Sequence, residues 1–279
     1  METLRTQAAL RSRVAQWRGA GDRIGLVPTM GALHAGHLAL VARAGETCDR
    51  VVASLFVNPT QFGPNEDFQS YPRDEAADAA MLENLKVDVL YAPEVLEMYP
   101  DGDATRITVS GLGDMLEGEF RPGFFDGVAT VVAKLLLQCL PDVAFFGEKD
   151  YQQLLVIRRM AADLAIPVTI EGVATVREAD GLALSSRNAY LTEAERAAAP
   201  TLHRALQDVA ALVVAGGDVR AAEQAAMAAL VQAGFGPVDY VTVRNAETLA
   251  EATGASESPL RVLAAARLGR ARLIDNIPV

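Results

Sequence analysis

The stretch Ile24-Gly-Leu-Val-Pro-Thr-Met-Gly-Ala-Leu-His-Ala-Gly-His37 decides how the rest of the chain is read. Its first four residues are a short apolar run without polar alternation, the pattern of a strand buried on both faces. A Gly-containing turn follows, and a helical pattern takes over across residues 37–47. Outward from there the alternation recurs. Residues 51–57, 87–91 and 143–146 are further apolar runs. Leu10, Val14 and Trp17 fall at i, i+4 and i+7 behind a Thr6 cap, and 73–85, 127–140 and 150–164 carry helical patterns. Strands alternating with helices of roughly ten to fifteen residues imply βαβ units and a parallel sheet, a Rossmann-like nucleotide-binding architecture.

After about residue 176 the character changes. Alanine-rich amphipathic helices, with Leu202, Leu206, Val209 and Val213 on one face and then 221–233, give way to short strands at 240–243, 261–266 and 271–275. That order predicts a smaller α+β domain. The expected division is therefore 1–177, a Rossmann-like α/β domain, and 178–279, an α+β lid. Residues 250–259 read as a solvated loop without function.

Composition bounds the ligands. The 279 residues hold 25 Lys+Arg against 36 Asp+Glu, a formal net charge of −11, with 51% hydrophobic and 22% charged residues. Disorder, collagen and coiled coil are excluded. The acidic balance argues against nucleic-acid and anionic-membrane binding. Any anionic ligand must be held by a few local cations and backbone N–H groups. Cys48 and Cys139 make no disulfide framework, and no zinc spacing joins them to the three histidines. The longest apolar stretch, 128–140, is broken by Lys134 and Gln138 and is too short to cross a bilayer. Met1-Glu-Thr-Leu-Arg5 has no apolar signal core, so a reduced, cytoplasmic protein is expected.

Four segments carry candidate chemistry. The turn after the first strand leads into a helix, where N–H groups and the helix dipole favour phosphate. His34 and His37, three apart, can both face that point, and Gly31 and Gly36 allow close backbone approach. The plain alternative is two histidines satisfying local backbone groups at a helix start. The second segment, Phe56-Val-Asn-Pro-Thr-Gln-Phe-Gly-Pro-Asn-Glu-Asp67, offers Asn58 and Gln61 for a small hydroxy acid, with Pro59 and Pro64 stiffening the loop. Read alone it is a turn. In the third, Gly147 permits a tight strand-to-helix turn, Lys149 stands where a triphosphate needs a cation, Asp150 is a candidate N-cap, and Gln153 points back toward the same place. The fourth, Thr175-Val-Arg-Glu-Ala-Asp-Gly-Leu-Ala-Leu-Ser-Ser-Arg-Asn188, sets two hydroxyls beside the Arg187 guanidinium at the domain join, an oxyanion clamp.

Together these segments resemble the pantoate–β-alanine ligase (pantothenate synthetase) family, of the HxGH nucleotidyltransferase superfamily. The resemblance runs end to end through PTMGALHAGH (28–37), NPTQF (58–62), YPR (71–73), GEKDYQQ (147–153), TVREADGLALSSRN (175–188) and RLIDN (272–276). It implies ligation of (R)-pantoate and β-alanine through a pantoyl adenylate, with ATP cleaved to AMP and pyrophosphate. It also implies Mg²⁺ with the ATP, and a homodimer. By carry-over Met30, Gly31, Ala32, Leu33, His34, Ala35, Gly36 and His37 line the ATP site, His37 as proton donor. Gly147, Glu148, Lys149, Asp150, Val176, Leu184, Ser185, Ser186 and Arg187 match further ATP positions. Gln61 and Gln153 match pantoate positions, Gln61 also lying near β-alanine, and Asp78 is a candidate to hold Mg²⁺. His37, His34, Lys149 and Arg187 are the expected catalytic set.

One departure stands out. The family commonly reads Arg-Pro-Gly-His-Phe where this chain has Arg121-Pro-Gly-Phe-Phe125. Phe124 cannot donate a hydrogen bond, so weaker nucleotide or adenylate binding is expected there, with activity retained. Two other readings share the HxGH turn: a nucleotidyltransferase that stops at its nucleotidyl product, and a non-catalytic nucleotide sensor. Amine-dependent AMP release separates the first from the ligase, and pyrophosphate exchange separates the second.

Overall fold

Strand β2 (Ile24–Thr29) is followed by helix α2 (Ala35–Thr47), β3 (Arg50–Leu55), α3 (Glu75–Asn84) and β4 (Val89–Tyr91), the alternation expected of βαβ units. A computed structural model of the chain describes residues 1–63, 68–69, 71–252 and 259–279. Pro64 and residues 253–258, to which stiffening and loop roles were assigned above, lie outside the described residues. The described chain divides into two compact units, 1–148 with 152–174, and 149–151 with 175–279.

The first unit is built on a six-stranded sheet, parallel throughout, in the order β1 (Glu2–Leu4), β4, β3, β2, β5 (Val143–Gly147), β6 (Thr169–Val173). Helix α1 (Gln7–Ala20) starts where Thr6 Oγ1 accepts from Ala9 N at 3.3 Å, and it buries Leu10 and Val14. Short helices α4 (Val95–Met98) and α5 (Glu117–Phe120) precede α6 (Phe124–Cys139), which leads to β5 (Val143–Gly147), α7 (Tyr151–Asp163) and β6. Val27, Ala53, Leu90 and Phe145 of the sheet pack with Leu40, Val41 and Ala44 of α2 in one buried cluster.

Two strands go beyond the sequence expectation. The edge strand β1 (Glu2–Leu4) is only three residues long. The other edge, β6 (Thr169–Val173), is half-exposed along most of its length. Neither presents the continuous apolar run that marks a strand buried on both faces. Helix α6 starts at Phe124, earlier than the pattern from 127 indicates, behind Gly123 in a left-handed conformation.

The strand order locates the site. From β2 the chain runs outward through β3 and β4 on one side, then returns to lay β5 and β6 on the other. The β2/β5 boundary is thus the topological switch point, where open α/β sheets bind ligands at their strand carboxyl ends. β2 and β5 pair only at Gly25–Val143 and Leu26–Ala144. Thr29 O turns toward β3, accepting from Phe56 N at 3.0 Å, so Pro28 turns its missing donor toward β5. Nothing zips the two strands beyond Leu26 in that register.

The second unit is the α+β module expected. It comprises α8 (Glu193–Ala198), α9 (Thr201–Val214), α10 (Val219–Gln232) and the antiparallel sheet β7 (Val238–Asn245), β8 (Leu260–Leu268) and β9 (Ala271–Pro278). Leu202, Leu206, Val209 and Val213 of α9 pack with Val241, Val243, Val262 and Ala264 in its core. The division falls at 174/175 rather than after 177, and residues 149–151 group with this unit.

Candidate active site

The turn from β2 into α2 is pinned from beneath. Gly31 (φ +83°) and Ala32 (φ +50°) are successive left-handed residues, which fold the chain sharply back. Thr29 Oγ1 accepts from Gly31 N at 3.3 Å and donates to Ser54 O at 2.8 Å. Asp78, 3% exposed at the start of α3, accepts from Ala32 N at 3.0 Å with Oδ2 and from Leu33 N at 2.8 Å with Oδ1. A Cβ on Gly31 would meet Asp78 Oδ2 at 2.9 Å. This corrects the metal role considered for Asp78: both carboxylate oxygens are spent on backbone N–H groups, and the side chain is an anchor. Among the described residues no group of three or more His, Cys, Asp or Glu is gathered for a metal ion.

The histidine pair does both things its spacing allowed. His34 caps α2, its Nδ1 accepting from Gly36 N at 3.1 Å, while His37 Nδ1 accepts from His34 N at 3.4 Å. The ring centroids are 4.2 Å apart. A ring nitrogen that accepts a backbone N–H carries a lone pair, so each neutral imidazole holds its proton on Nε2. The local hydrogen bonding therefore selects the Nε2–H tautomer of each neutral ring. Ala35 and Gly36 occupy the first helical positions between them.

Asn58 does not face a substrate. It is 1% exposed, and its Nδ2 donates to Gln61 Oε1 and Gly127 O, each at 3.1 Å. Its Oδ1 accepts from Thr60 N (3.2 Å), Thr60 Oγ1 (3.0 Å) and Tyr99 OH (2.8 Å). With every hydrogen-bonding position used, Asn58 is the cap of the Pro59–Gln61 3-10 turn and the support of Gln61. Gln61 Nε2 lies 3.1 Å from Met30 Sδ, which joins the second segment to the first. α6 makes room for this turn at Gly127, where a Cβ would come within 2.4 Å of Thr60 O. Arg121 reaches the same place: its Nη2 is 3.5 Å from Gln61 O, and its guanidinium stacks 3.6 Å over the Phe124 ring. The residue that departs from the family pattern thus supplies an aromatic face to a cation beside Gln61.

The third segment differs in detail from expectation. Gly147 ends β5 with no positive φ and open space where a Cβ would stand, so the turn itself does not demand glycine. Glu148, Lys149 and Asp150 form a 3-10 turn that runs straight into α7, so Asp150 lies within the turn and is not an isolated cap. Lys149 is mostly buried, with Nζ 3.9 Å from Asp150 Oδ2. Gln153 is half-buried on the first turn of α7. Its neighbour Gln152 is the structural one, accepting from Glu117 N at 3.1 Å and donating to Leu112 O and Met115 O, each at 2.7 Å.

In the second unit Leu184 N donates to Val176 O at 3.0 Å, closing a loop whose neck is the Arg177–Ala183 bridge. Ser185 caps the following 3-10 turn (Ser186–Tyr190), its Oγ accepting from Arg187 N at 3.2 Å. Ser186 and Arg187 are half-buried. The supports that the sequence reading missed are Asp78 as an anchor, Gly127 and Tyr99. Only Gly127, a glycine in an otherwise apolar helix, carried a signal: a close approach.

Comparison with known proteins gives the family. Residues 2–278 match the family model described as pantoate-beta-alanine ligase. The chain is 61% identical over 276 residues to the pantothenate synthetase of Paramagnetospirillum magneticum, covering 99% of this chain and 97% of that one. It is 58% identical over 275 residues to that of Rhodospirillum rubrum, covering 99% and 98%. The crystal structure of pantothenate synthetase from Thermus thermophilus superposes with a TM-score of 0.93 at 50% identity, over 99% of each chain. That of pantoate-beta-alanine ligase from Francisella tularensis, complexed with beta-gamma ATP and beta-alanine, superposes with a TM-score of 0.84 at 34% identity, over 100% and 97%. A match across 2–278, on the fold whose switch point carries the HxGH turn, means that the chain belongs to the pantoate–β-alanine ligase family.

Proposed function

We propose that the chain ligates (R)-pantoate to β-alanine in two steps at the expense of ATP. In the first, a pantoate carboxylate oxygen attacks the α-phosphorus and the bond to the bridging oxygen breaks. Pyrophosphate leaves and pantoyl adenylate forms. In the second, the neutral β-alanine amine attacks the acyl carbon, AMP departs with the carbon–oxygen electron pair, and the amine gives up a proton. No covalent enzyme intermediate is required. The enzyme's work is to hold two anions together while charge moves onto phosphate oxygens.

The observation that carries this reading is the pair of imidazoles held at the start of α2 by a backbone hydrogen bond to each Nδ1. In the proposed roles, Met30 to His37 receive the phosphates at the helix N-terminus, and His37 donates a hydrogen bond from Nε2–H to the charge that builds on the leaving phosphate. Lys149, Ser185, Ser186 and Arg187 neutralise the triphosphate, with Gly147, Glu148, Asp150, Val176 and Leu184 beside the nucleotide. Gln61 and Gln153 bind pantoate, and Gln61 also meets β-alanine. Mg²⁺, supplied with the ATP, would add to the positive field on the triphosphate. A homodimer in the cytoplasm completes the proposal. Among the described residues no helix is long and apolar enough to cross a membrane.

The test is isotope exchange between pyrophosphate and ATP. Exchange that appears only with pantoate, followed by AMP release on adding β-alanine, is the expected result. Exchange without amine-dependent AMP release would favour a nucleotidyltransferase, and ATP binding without exchange a sensor.

A further inference from the structure

The terminal RLIDN segment (272–276) has no part in the chemistry proposed above, yet two of its residues reach the nucleotide-binding segments. Asn276, 4% exposed on β9, donates from Nδ2 to the backbone oxygen of Lys149 at 2.9 Å. Its Oδ1 accepts from Arg261 of β8, whose guanidinium lies 3.7 Å over the Tyr151 ring. Tyr151 OH in turn donates to Ala246 O at 2.9 Å. The three residues 149–151 are therefore held at both ends by second-unit groups, and they group with that unit although β5 before them and α7 from Gln152 onward belong to the first. Next along the strand, Asp275 holds Arg177 bidentately at 2.6 and 2.8 Å, and Arg177 also donates to Gly181 O at 3.0 Å. That fastens the neck of the loop leading to Ser185–Arg187.

We infer that Asn276 is a positioning residue for Lys149, acting through the Lys149 carbonyl, and that β9 is the common anchor of the lysine turn and the Ser185–Arg187 segment. A hydrogen bond to a backbone oxygen within a 3-10 turn fixes the Cα–Cβ direction of the residue that owns it. A lysine side chain, with its long flexible stem, gains its aim from that root. Buried amides with both ends satisfied are rigid, and they orient the groups they touch. Arg261 and Tyr151 orient Asn276 in the same manner.

The inference rests on the role proposed for Lys149, and the experiment separates the two. Pantoate-dependent adenylate formation is measured in single turnovers for Lys149→Ala, Asn276→Ala and the double variant, with thermal unfolding of each. Asn276→Ala is expected to lower kcat/KM for ATP about tenfold while the pantoate KM stays within about twofold. In the Lys149→Ala background the same change should add less than about twofold, the signature of one residue acting through another. Asn276→Asp keeps the acceptor for Arg261 and loses the donor to Lys149. It should fold like the parent and still show the ATP defect, which covers the case in which the alanine variant unfolds. A normal ATP response in Asn276→Asp, or effects of Asn276→Ala and Lys149→Ala that multiply, overturns the positioning role while leaving Lys149 in place. A Lys149→Ala enzyme with parental rates overturns the role of Lys149 and the inference with it.

Discussion

The residues of the β2–α2 turn show how one side chain serves structure and chemistry together. His37 Nδ1 accepts from His34 N at 3.4 Å, and the phosphate contact proposed for the ring falls to Nε2–H. His37→Ala is expected to slow pantoyl-adenylate formation at least tenfold, a loss above ~1.4 kcal/mol of transition-state stabilisation. A parental single-turnover rate would remove it from the mechanism. Asp78 acts one layer beneath. In Asp78→Asn one carboxylate oxygen becomes an NH2 group facing the backbone N–H of Ala32 or Leu33, donor against donor. The cost of leaving buried donors unmet is about 1–3 kcal/mol, to be read by urea denaturation, and the ATP KM should rise because Gly31–Leu33 lose their support. Parental stability and ATP KM together would show that the turn holds without it. Asp78 and Asn58 also mark where sequence stops being informative at this scale. A polar residue in a motif reads as a ligand contact, but only coordinates distinguish one that faces a ligand from one whose hydrogen bonds are all spent inside the protein.

At the scale of elements, what was legible was what burial dictates. Strands β2, β3, β4 and β5 are covered on both faces and so write continuous apolar runs, whereas β1 and β6 at the edges do not. The order β1-β4-β3-β2-β5-β6 is not written locally at all, since it depends on which strands pair. Likewise, Gly127 inside α6 looks like a helix weakness worth up to about 1 kcal/mol. Its reason lies across the packing interface, where the Pro59–Gln61 turn occupies the space of a side chain. Gly127→Ala would set a methyl 2.4 Å from Thr60 O, and neither backbone can yield cheaply. The expected result is a loss of about 1–3 kcal/mol by overpacking, with a pantoate KM raised more than the ATP KM because Gln61 moves with the turn. Equal changes in both KM values would argue that Gln61 is not the group displaced.

For the molecule as a whole, a change of chain character near residue 176 was enough to foresee two units. The passage of 149–151 into the second was not, because it rests on Asn276 and Tyr151, far from each other in sequence. The lock on that unit is Asp275, 3% exposed, between Arg177 and His203, whose Nδ1 stands 3.5 Å away. Burial pushes the Asp275 carboxyl up, but the hydrogen bonds of His203 and Arg177 and the arginine charge outweigh it and hold it below the usual carboxylate range. A carboxyl depressed in the folded state contributes stability that is fully present above its unfolded pKa of about 3.9 and is lost as pH falls through the folded value. Asp275→Asn removes that titration and leaves Arg177 without its anion, a loss of about 3–5 kcal/mol at neutral pH. The gap between parent and variant should therefore be widest at pH 7 and close as the solution is acidified below about pH 4, because only the parent has this carboxyl to protonate. Urea denaturation of both proteins across that range reads the gap directly. A gap that stays constant or widens on acidification would mean that Asp275 is not held ionised by Arg177, and that β9 anchors its loop by packing alone.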